Sequence, residues 1–294
     1  MRNDRSSERG VALLIVAIAL AALSLIVAAV VATSRQFGRE TASAEDTLGL
    51  RAALDAGFAT AAHDLAAPSG AIPALLSGEQ QFDNDGATVR YRARPETGKI
   101  DLNAAPPALV ADLLEVRGFD RTYSEEIARE LADWRNAKTG GESDGASIAS
   151  SHRALATESE IALLAHANTE LATCFAPDVT VYTGVGQPYL PVATEAVKKA
   201  VAAFAPTSTS AQSPFFASLV NGRATLGDVF ALDVTASRDG RIYAQRSVVR
   251  VTGDARDPVW ILARSPIPSD AETEHACAEA RKRAEASPST NSAL

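Results

Sequence analysis

The chain has 294 residues, and its 36 Asp and Glu side chains outnumber its 28 Lys and Arg side chains, which gives a net charge of −8. This balance argues against a general affinity for nucleic acid or for an anionic lipid surface. The length, with 46% hydrophobic residues, is sufficient for two modest domains.

The N-terminus contains an apolar run from Val11 to Ala32, which is 22 residues long and has Ser24 as its one polar side chain. As an α-helix, such a run spans a bilayer core of about 30 Å. It is too long for the apolar core of a secretory signal, which has about 7–15 residues. The basic residues Arg2, Arg5 and Arg9 precede it, so we predict a single-pass anchor with a cytoplasmic N-terminus.

Gly10 separates the charged N-terminal residues from the apolar run. A small, flexible residue at the cytoplasmic edge is a place where a membrane-embedded peptidase can bind an extended backbone. The segment resembles the leaders of type IV prepilins and pseudopilins, which are cut after the glycine while the helix is retained. This resemblance predicts a cut between Gly10 and Val11, with residues 1–10 as a cytoplasmic leader and methylation of the new N-terminus.

The helix is predicted to continue to about Ala66, because apolar residues recur at helical spacing beyond the membrane run. This apolar stripe, which would pack on another layer, consists of Leu50, Leu54, Phe58, Ala61 and Leu65. Pro68 and Gly70 end the pattern. Within the helix, Gly38, Gly49 and Gly57 are interpreted as positions that allow bends.

A small antiparallel sheet is predicted from residues 67–94 and 226–264. Residues 87–94 alternate between apolar side chains and arginines, which indicates a strand with one buried face. Near the C-terminus, residues 229–236, 241–251 and 259–263 form a three-stranded meander separated by turn sequences. The sheet would cover the apolar stripe of the long helix.

Residues 95–225 have a mostly helical pattern and interrupt the predicted sheet. Residues 265–294 are interpreted as a polar C-terminal tail, in which "AETEHACAEARKRAEA" predicts a polar helix. The fold class is therefore α+β, with a pilin-like N-terminal helix on a small antiparallel sheet and an inserted all-α domain. Within the insert, "VGQPYLPVATEAVKKAV" weakly echoes "TGKIDLNAAPPALVADL", which suggests an internal repeat.

The stretch 98–135 predicts two helices joined by a tight hairpin. Asn103 is expected to cap the first helix, and Pro106 suits its first turn. Gly118 is expected to end that helix, and Ser124 to begin the second. The apolar positions assigned to the hairpin module include Leu102, Ile127, Leu131 and Trp134.

This stretch resembles the helix-hairpin-helix signature of two kinds of extracytoplasmic protein, the DNA receptor of competence systems and the K-type minor pseudopilin of type II secretion. "LADWRNA" (131–137) is similar to the Asp-Trp-Arg-Asp stretch of the K-type family, general secretion pathway protein K. Residues 157–202 and the order of the parts are similar as well. The resemblance covers residues 10 to 263 and favours the pseudopilin.

The resemblance implies a non-catalytic subunit at the tip of the pseudopilus, anchored in the inner membrane with its C-terminal domain in the periplasm. It would initiate or cap assembly for export of folded proteins, with I- and J-type minor pseudopilins and the prepilin peptidase as partners. Most pseudopilins have Glu at the fifth position of the mature chain, where this chain has Ile15. The K-type family also lacks that Glu, which implies that no subunit lies above it.

Candidate sites for metal ions and catalysis are few. The resemblance implies a calcium site, for which oxygen ligands are available at Asp133, Asn136, Glu142 and Asp144. Because EF-hand spacing is absent, we favour a solvated polar loop and keep calcium binding as the alternative. The four histidines, His63, His152, His166 and His275, are interpreted as surface residues. Nothing indicates an enzyme active site or a small-molecule substrate. The sequence leaves open whether Cys174 and Cys277 form a disulfide.

The alternative function is that of a membrane-anchored helix-hairpin-helix protein that binds DNA. Such hairpins usually offer a Gly-x-Gly turn and nearby Lys or Arg to phosphate. Here the turn is "GFD", with Asp120 where phosphate would approach. Residues 95–165 have 13 acidic and 7 basic side chains, a net charge of −6, which would repel DNA. We therefore interpret the hairpin as a structural module.

Overall fold

The computed structural model describes residues 4–66, 76, 78–135, 153–204, 226–254 and 256–286. The chain divides into two units, Met1–Ala53 and Leu54–Leu294. In chain order, the elements are α1 (Asp4–Ala66), β1 (Gln80–Asn84), β2 (Ala87–Pro95), β3 (Ile100–Asp101), α2 (Pro107–Val116), α3 (Arg121–Arg135), α4 (Thr169–Phe175), β4 (Val179–Thr180), α5 (Glu195–Phe204), β5 (Val229–Arg238), β6 (Arg241–Val251), β7 (Val259–Ser265) and α6 (Asp270–Ala286). Short 3-10 helices cover Glu96–Gly98, Glu158–Leu163 and Leu190–Val192.

The first unit consists, in its described part, of residues of helix α1. This helix begins at Asp4, before the predicted start at Val11, and ends at Ala66 as predicted. Aliphatic side chains between Val16 and Val31 are exposed, whereas Leu50 and Ala53 are fully buried. Within the described residues, no helix has both the length and the apolar character required to cross a membrane.

In the second unit, the end of α1 packs directly on the sheet at Gly57. A Cβ atom at this position would lie 2.5 Å from a methyl carbon of Val234 and 2.6 Å from one of Val89. Gly57 is therefore a point of close approach between helix and sheet. Leu54 and Phe58 are half-buried and Leu65 is buried.

Among the described residues, five strands form one antiparallel sheet in the order β1-β2-β5-β6-β7. The four predicted strands are confirmed, with small extensions at their ends, whereas the polar strand β1 was not predicted. Tight turns with positive φ at Asp85 and Gly86, and at Asp239 and Gly240, join β1 to β2 and β5 to β6. The mixed helix-and-sheet fold class is confirmed.

Helices α2 to α5 form the insert between β2 and β5, together with one buried hydrophobic cluster. The prediction of an all-α insert is wrong in one respect, because β3 and β4 pair in parallel, with Ile100 opposite Val179. These strands have two residues each, too few to show the alternation that identifies a strand in a sequence.

Helix α6 is the polar helix predicted in the C-terminal tail, and it packs on the insert. Its buried residues are Ala276, Cys277 and Ala280. Cys277 is joined by a disulfide to Cys174 of α4, which answers the question that the sequence left open. An exposed salt bridge between Arg283 and Glu170, at 2.8 Å, adds a second link between α6 and α4.

Candidate functional site

The helix hairpin is built from α2, the turn 117–120 and α3. Gly118 has φ +88°, a left-handed conformation that ends α2 and favours glycine. Its N–H donates to the carbonyl of Glu115 at 2.9 Å, and the N–H of Phe119 donates to that of Leu114 at 3.1 Å. This pair of bonds is a Schellman motif, so Gly118 acts as the sequence indicated.

The N-terminus of α2 differs from the prediction. The N-cap residue is Pro106, which makes no side-chain capping bond, and Pro107 occupies the first turn. Asn103 does not cap the helix. Its side-chain amide donates to the carbonyls of Leu155 and Val181 at 2.9 and 3.2 Å, and its oxygen accepts from the N–H of Leu155 at 2.8 Å. Asn103 therefore ties together segments that are distant in sequence.

Helix α3 begins at Arg121, earlier than the predicted start at Ser124. The reason is Asp120, whose carboxylate accepts from the N–H of Tyr123 at 3.0 Å and so caps the helix. The hydroxyl of Ser124 is buried and donates to the carbonyl of Asp120 at 2.8 Å. Asp120 thus occupies the helix N-terminus, where a DNA phosphate would otherwise bind.

The apolar residues predicted for the module lie in the core of the insert. Leu102, Ile127 and Leu131 are fully buried, and Trp134 is 6% exposed. The guanidinium of Arg135 donates to the carbonyls of Leu102 and Ala105 at 3.0 and 2.9 Å, which fixes the end of α3 to the segment before α2.

Two buried aspartates that the sequence analysis missed hold the insert together. Asp101 accepts hydrogen bonds from the N–H of Asn103, from the N–H and hydroxyl of Thr183, and from the N–H of Gly184. These bonds are 2.7–2.9 Å long. Each joins β3 to a nearby loop, and a carboxylate that accepts several bonds is well satisfied.

Asp178 is the second of these buried carboxylates. It pairs with Arg117 at the end of α2, with Nε to Oδ2 at 2.6 Å. Its other oxygen accepts from the hydroxyl of Thr194 at 2.6 Å, and Thr194 in turn accepts from the N–H of Val197 at the start of α5. One buried charge therefore connects two helices. Local spacing carried no signal for either aspartate, because their partners are distant in sequence.

The two segments of the suggested internal repeat contact each other through glycines. Aligning "TGKIDLNA" with "VGQPYLPV" matches Gly98 with Gly186, and Ala104 with Val192. A Cβ at Gly98 would lie 2.6 Å from the carbonyl oxygen of Val192, and one at Gly186 would lie 3.1 Å from that of Ala104. Each glycine thus approaches the same matched position in the other segment, as expected for two copies of a repeat. The repeat itself stays a prediction.

The outer side of the hairpin turn is covered by α6. The guanidinium of Arg281 donates to the carbonyl of Arg117 at 3.1 Å, and a Cβ at Gly118 would lie 2.9 Å from the same guanidinium. The disulfide through Cys277 fixes this helix to α4. A cavity of about 500 Å³ lies beside these residues, lined by Val116, Arg117, Pro177, Asp270, Thr273, Glu274, Cys277 and Arg281.

The charges around the turn are balanced or negative. Arg117 is paired with Asp178, and exposed Arg121 is paired with Glu125 at 2.8 Å. Burial and the neighbouring charge of Glu115 raise the pKa of Asp112. The hairpin therefore presents no unpaired cluster of cations within the described residues.

Another cavity, of about 560 Å³, lies between the insert and strands β6 and β7. Lys99, Arg246, Arg264, Tyr182 and Glu158 are among its polar lining residues, and Val248, Ile267 and Pro268 among the apolar ones. The hydroxyl of Tyr182 donates to Glu158 at 3.3 Å, and burial is the main reason that the pKa values of both groups are raised.

Two sets of predicted residues are only partly described. Gly10 and Val11 lie within α1, and nothing described there tests the predicted cut. Of the oxygen ligands suggested for calcium, Asp133 is exposed on α3, and the other three lie outside the described residues. Elsewhere in the described chain, Glu126, Glu130 and His166 bring ligand atoms within 4.8 Å of one another.

The fold is similar to that of a chain in the crystal structure of the GspK-GspI-GspJ complex from the enterotoxigenic Escherichia coli type 2 secretion system. The TM-score is 0.52 at 14% sequence identity, and the match covers 79% of this chain and 100% of that chain. No protein-family model and no curated protein sequence matches the chain. At this identity, the similarity shows a shared GspK-like fold.

Proposed function

We propose that this chain is a minor pseudopilin of a type II secretion system, at the tip of the pseudopilus, where it initiates or caps assembly for export of folded proteins. The observation that carries the proposal is the fold shared with a chain of the GspK-GspI-GspJ complex over that chain's full length. In this role, the long helix would pack in the shaft of the pseudopilus. The helical insert would form a bulky head at its tip.

The N-terminal sequence supports the predicted processing and anchoring. A prepilin peptidase would remove residues 1–10 and leave Val11 as the methylated N-terminus, and the run from Val11 to Ala32 would anchor the chain in the inner membrane. The disulfide between Cys174 and Cys277 supports a periplasmic location for the rest of the chain, because disulfides persist in oxidising compartments.

The partners proposed are I- and J-type minor pseudopilins. The solved complex contains GspI and GspJ together with GspK. Exposed aliphatic residues between Val16 and Val31 give α1 an apolar surface on which helices of other subunits could pack. We propose no enzymatic activity and no small-molecule substrate.

The alternative function, DNA binding through the hairpin, is disfavoured by three features of the turn. Arg281 of α6 binds the carbonyl of Arg117, Asp120 caps the helix N-terminus, and Arg121 is paired with Glu125. DNA phosphate would meet a covered turn and a negatively charged segment. The hairpin is better explained as the framework of the insert.

The test is to purify the full chain in detergent after co-expression with the I- and J-type minor pseudopilins encoded in the same genome. We expect a complex with one copy of each protein by size-exclusion chromatography and mass measurement, and no binding of labelled duplex DNA in low salt. A chain that elutes alone and binds duplex DNA with a steep salt dependence would contradict the proposal and favour the alternative.

A further inference from the structure

Three side chains with metal-binding atoms meet on one face of the insert. Glu126 and Glu130 lie one turn apart on α3, and His166 lies in the loop before α4. The Nδ1 atom of His166 directly contacts Oε1 of Glu130 and lies 3.7 Å from Oε1 of Glu126. All three ligand atoms are within 4.8 Å of one another.

The backbone around His166 is fixed independently of its ring. Its N–H donates to Oε2 of Glu130 at 3.2 Å, and its carbonyl accepts from the hydroxyl of Tyr123 at 3.0 Å. Asn168, two residues later, caps α4 by accepting from the N–H of Leu171 at 2.8 Å. These backbone bonds place the ring of His166 beside the two carboxylates.

The site is partly shielded but open on one side. The side chains of Glu126 and Glu130 are 22% and 14% exposed, and that of His166 is 36% exposed. An ion held between them would keep access to water, which could complete its coordination.

The local charge favours a cation. Glu126 and Glu130 lie four residues apart on α3, a spacing at which carboxylates repel each other. The oppositely charged guanidinium of Arg129 lies 3.4 Å from Oε1 of Glu126. A divalent ion would neutralise this repulsion.

We propose that Glu126, Glu130 and His166 form a binding site for a divalent transition-metal ion, with Zn²⁺ as the best match to this donor set. Two carboxylate oxygens and one imidazole nitrogen suit zinc, which also accepts water as a fourth ligand. Calcium prefers oxygen ligands throughout, so it would not use this imidazole. The ion would fix the loop before α4 to α3.

The test is to titrate ZnCl₂ into the full-length, untagged, metal-stripped chain in detergent, and to follow binding by calorimetry and thermal unfolding. We expect one saturable site, an unfolding midpoint that rises with Zn²⁺ and not with Ca²⁺, and visible absorption bands when Co²⁺ replaces Zn²⁺. Absence of saturable binding by the wild-type chain would overturn the proposal.

Variants separate a metal site from a simple hydrogen bond between histidine and glutamate. His166→Gln removes both, whereas Glu126→Gln leaves the contact between His166 and Glu130 in place. Glu126→Gln should weaken Zn²⁺ binding at least about tenfold, the lower end of what supporting residues contribute.

His275→Gln is the matched control, because this exposed histidine lies on α6, outside the cluster. It should bind Zn²⁺ as tightly as the wild-type chain. Unchanged affinity in both Glu126→Gln and His166→Gln would overturn the proposal, as would loss of binding in His275→Gln.

Discussion

The sheet region and the insert are held together in different ways. The central strands of the sheet are long, and their residues pair in continuous register. Helix α1 contacts the sheet where Gly57 leaves room for Val89 and Val234. The insert consists of short helices and two-residue strands held by buried Asp101 and Asp178 and, through α6, by a disulfide. The sheet thus depends mainly on strand pairing and helix packing, with one ion cluster at Asp233, whereas the insert adds buried aspartates and a disulfide to its hydrophobic core.

The largest expected effect is loss of the disulfide, which should weaken the insert far more than the sheet. Replacing Cys174 and Cys277 by serine opens a link between residues 103 apart, which should lower the free energy of unfolding by about 4 kcal/mol. Urea unfolding followed by Trp134 fluorescence in a Trp260→Phe background would report on the insert. A loss of hydrogen-exchange protection in β5 and β6 as large as that in the insert would contradict this difference between the two regions.

Asp101→Asn should be the next most damaging change. In asparagine, an NH₂ group replaces one of the two acceptor oxygens. Where this group faces the N–H groups of Thr183 and Gly184, these buried N–H groups lose their acceptor. We expect a loss of about 3 kcal/mol in the free energy of unfolding, measured by urea titration. Asp133→Asn, at an exposed position on α3, is the control and should leave stability unchanged.

Gly57→Ala tests the sheet side of the comparison. The new methyl group would overlap Val234 and Val89, so the helix must move away from the sheet at a cost of about 2 kcal/mol. Hydrogen exchange should become faster in β2 and β5 and remain unchanged in α2 and α3. Gly78→Ala is the matched control, because a Cβ there meets nothing within 4 Å.

The smallest effect concerns pH and the arginines around Asp233 in the sheet. Burial by itself would raise the pKa of Asp233, but the bond and charge of Arg246 and the charges of Arg94 and Arg92 outweigh it, so the pKa is lowered. Its stabilising contribution is then complete above the unfolded-state pKa of about 3.9 and is lost as pH falls through the folded-state value.

We therefore expect the sheet to lose hydrogen-exchange protection as pH is lowered below about 4, and Asp233→Asn to remove this part of the acid dependence. The measurement is urea unfolding and hydrogen exchange at a series of pH values. An acid dependence that is the same in Asp233→Asn and in the wild-type chain would show that this ion cluster does not stabilise the sheet.

The comparison also explains how much could be predicted from the sequence. Strands β2, β5, β6 and β7 were predicted because side-chain alternation and turn residues are local signals. Gly118 was predicted for the same reason, since the end of a helix is recorded within a few residues.

The features that were missed are non-local. Asn103 looked like a helix cap, but its partners Leu155 and Val181 lie far along the chain. The roles of Asp101 and Asp178 and the cluster around His166 likewise depend on which segments fold together. Pairing of Cys174 with Cys277 could not be derived from spacing, because no local pattern connects α4 with α6.

The most direct test of the proposal that the chain is a pseudopilin is the intact mass of its membrane form, expressed with and without a prepilin peptidase. We expect loss of residues 1–10 with the peptidase present, and no loss when Gly10 is replaced by leucine. An uncut wild-type chain beside an active peptidase would contradict the assignment to the pseudopilins.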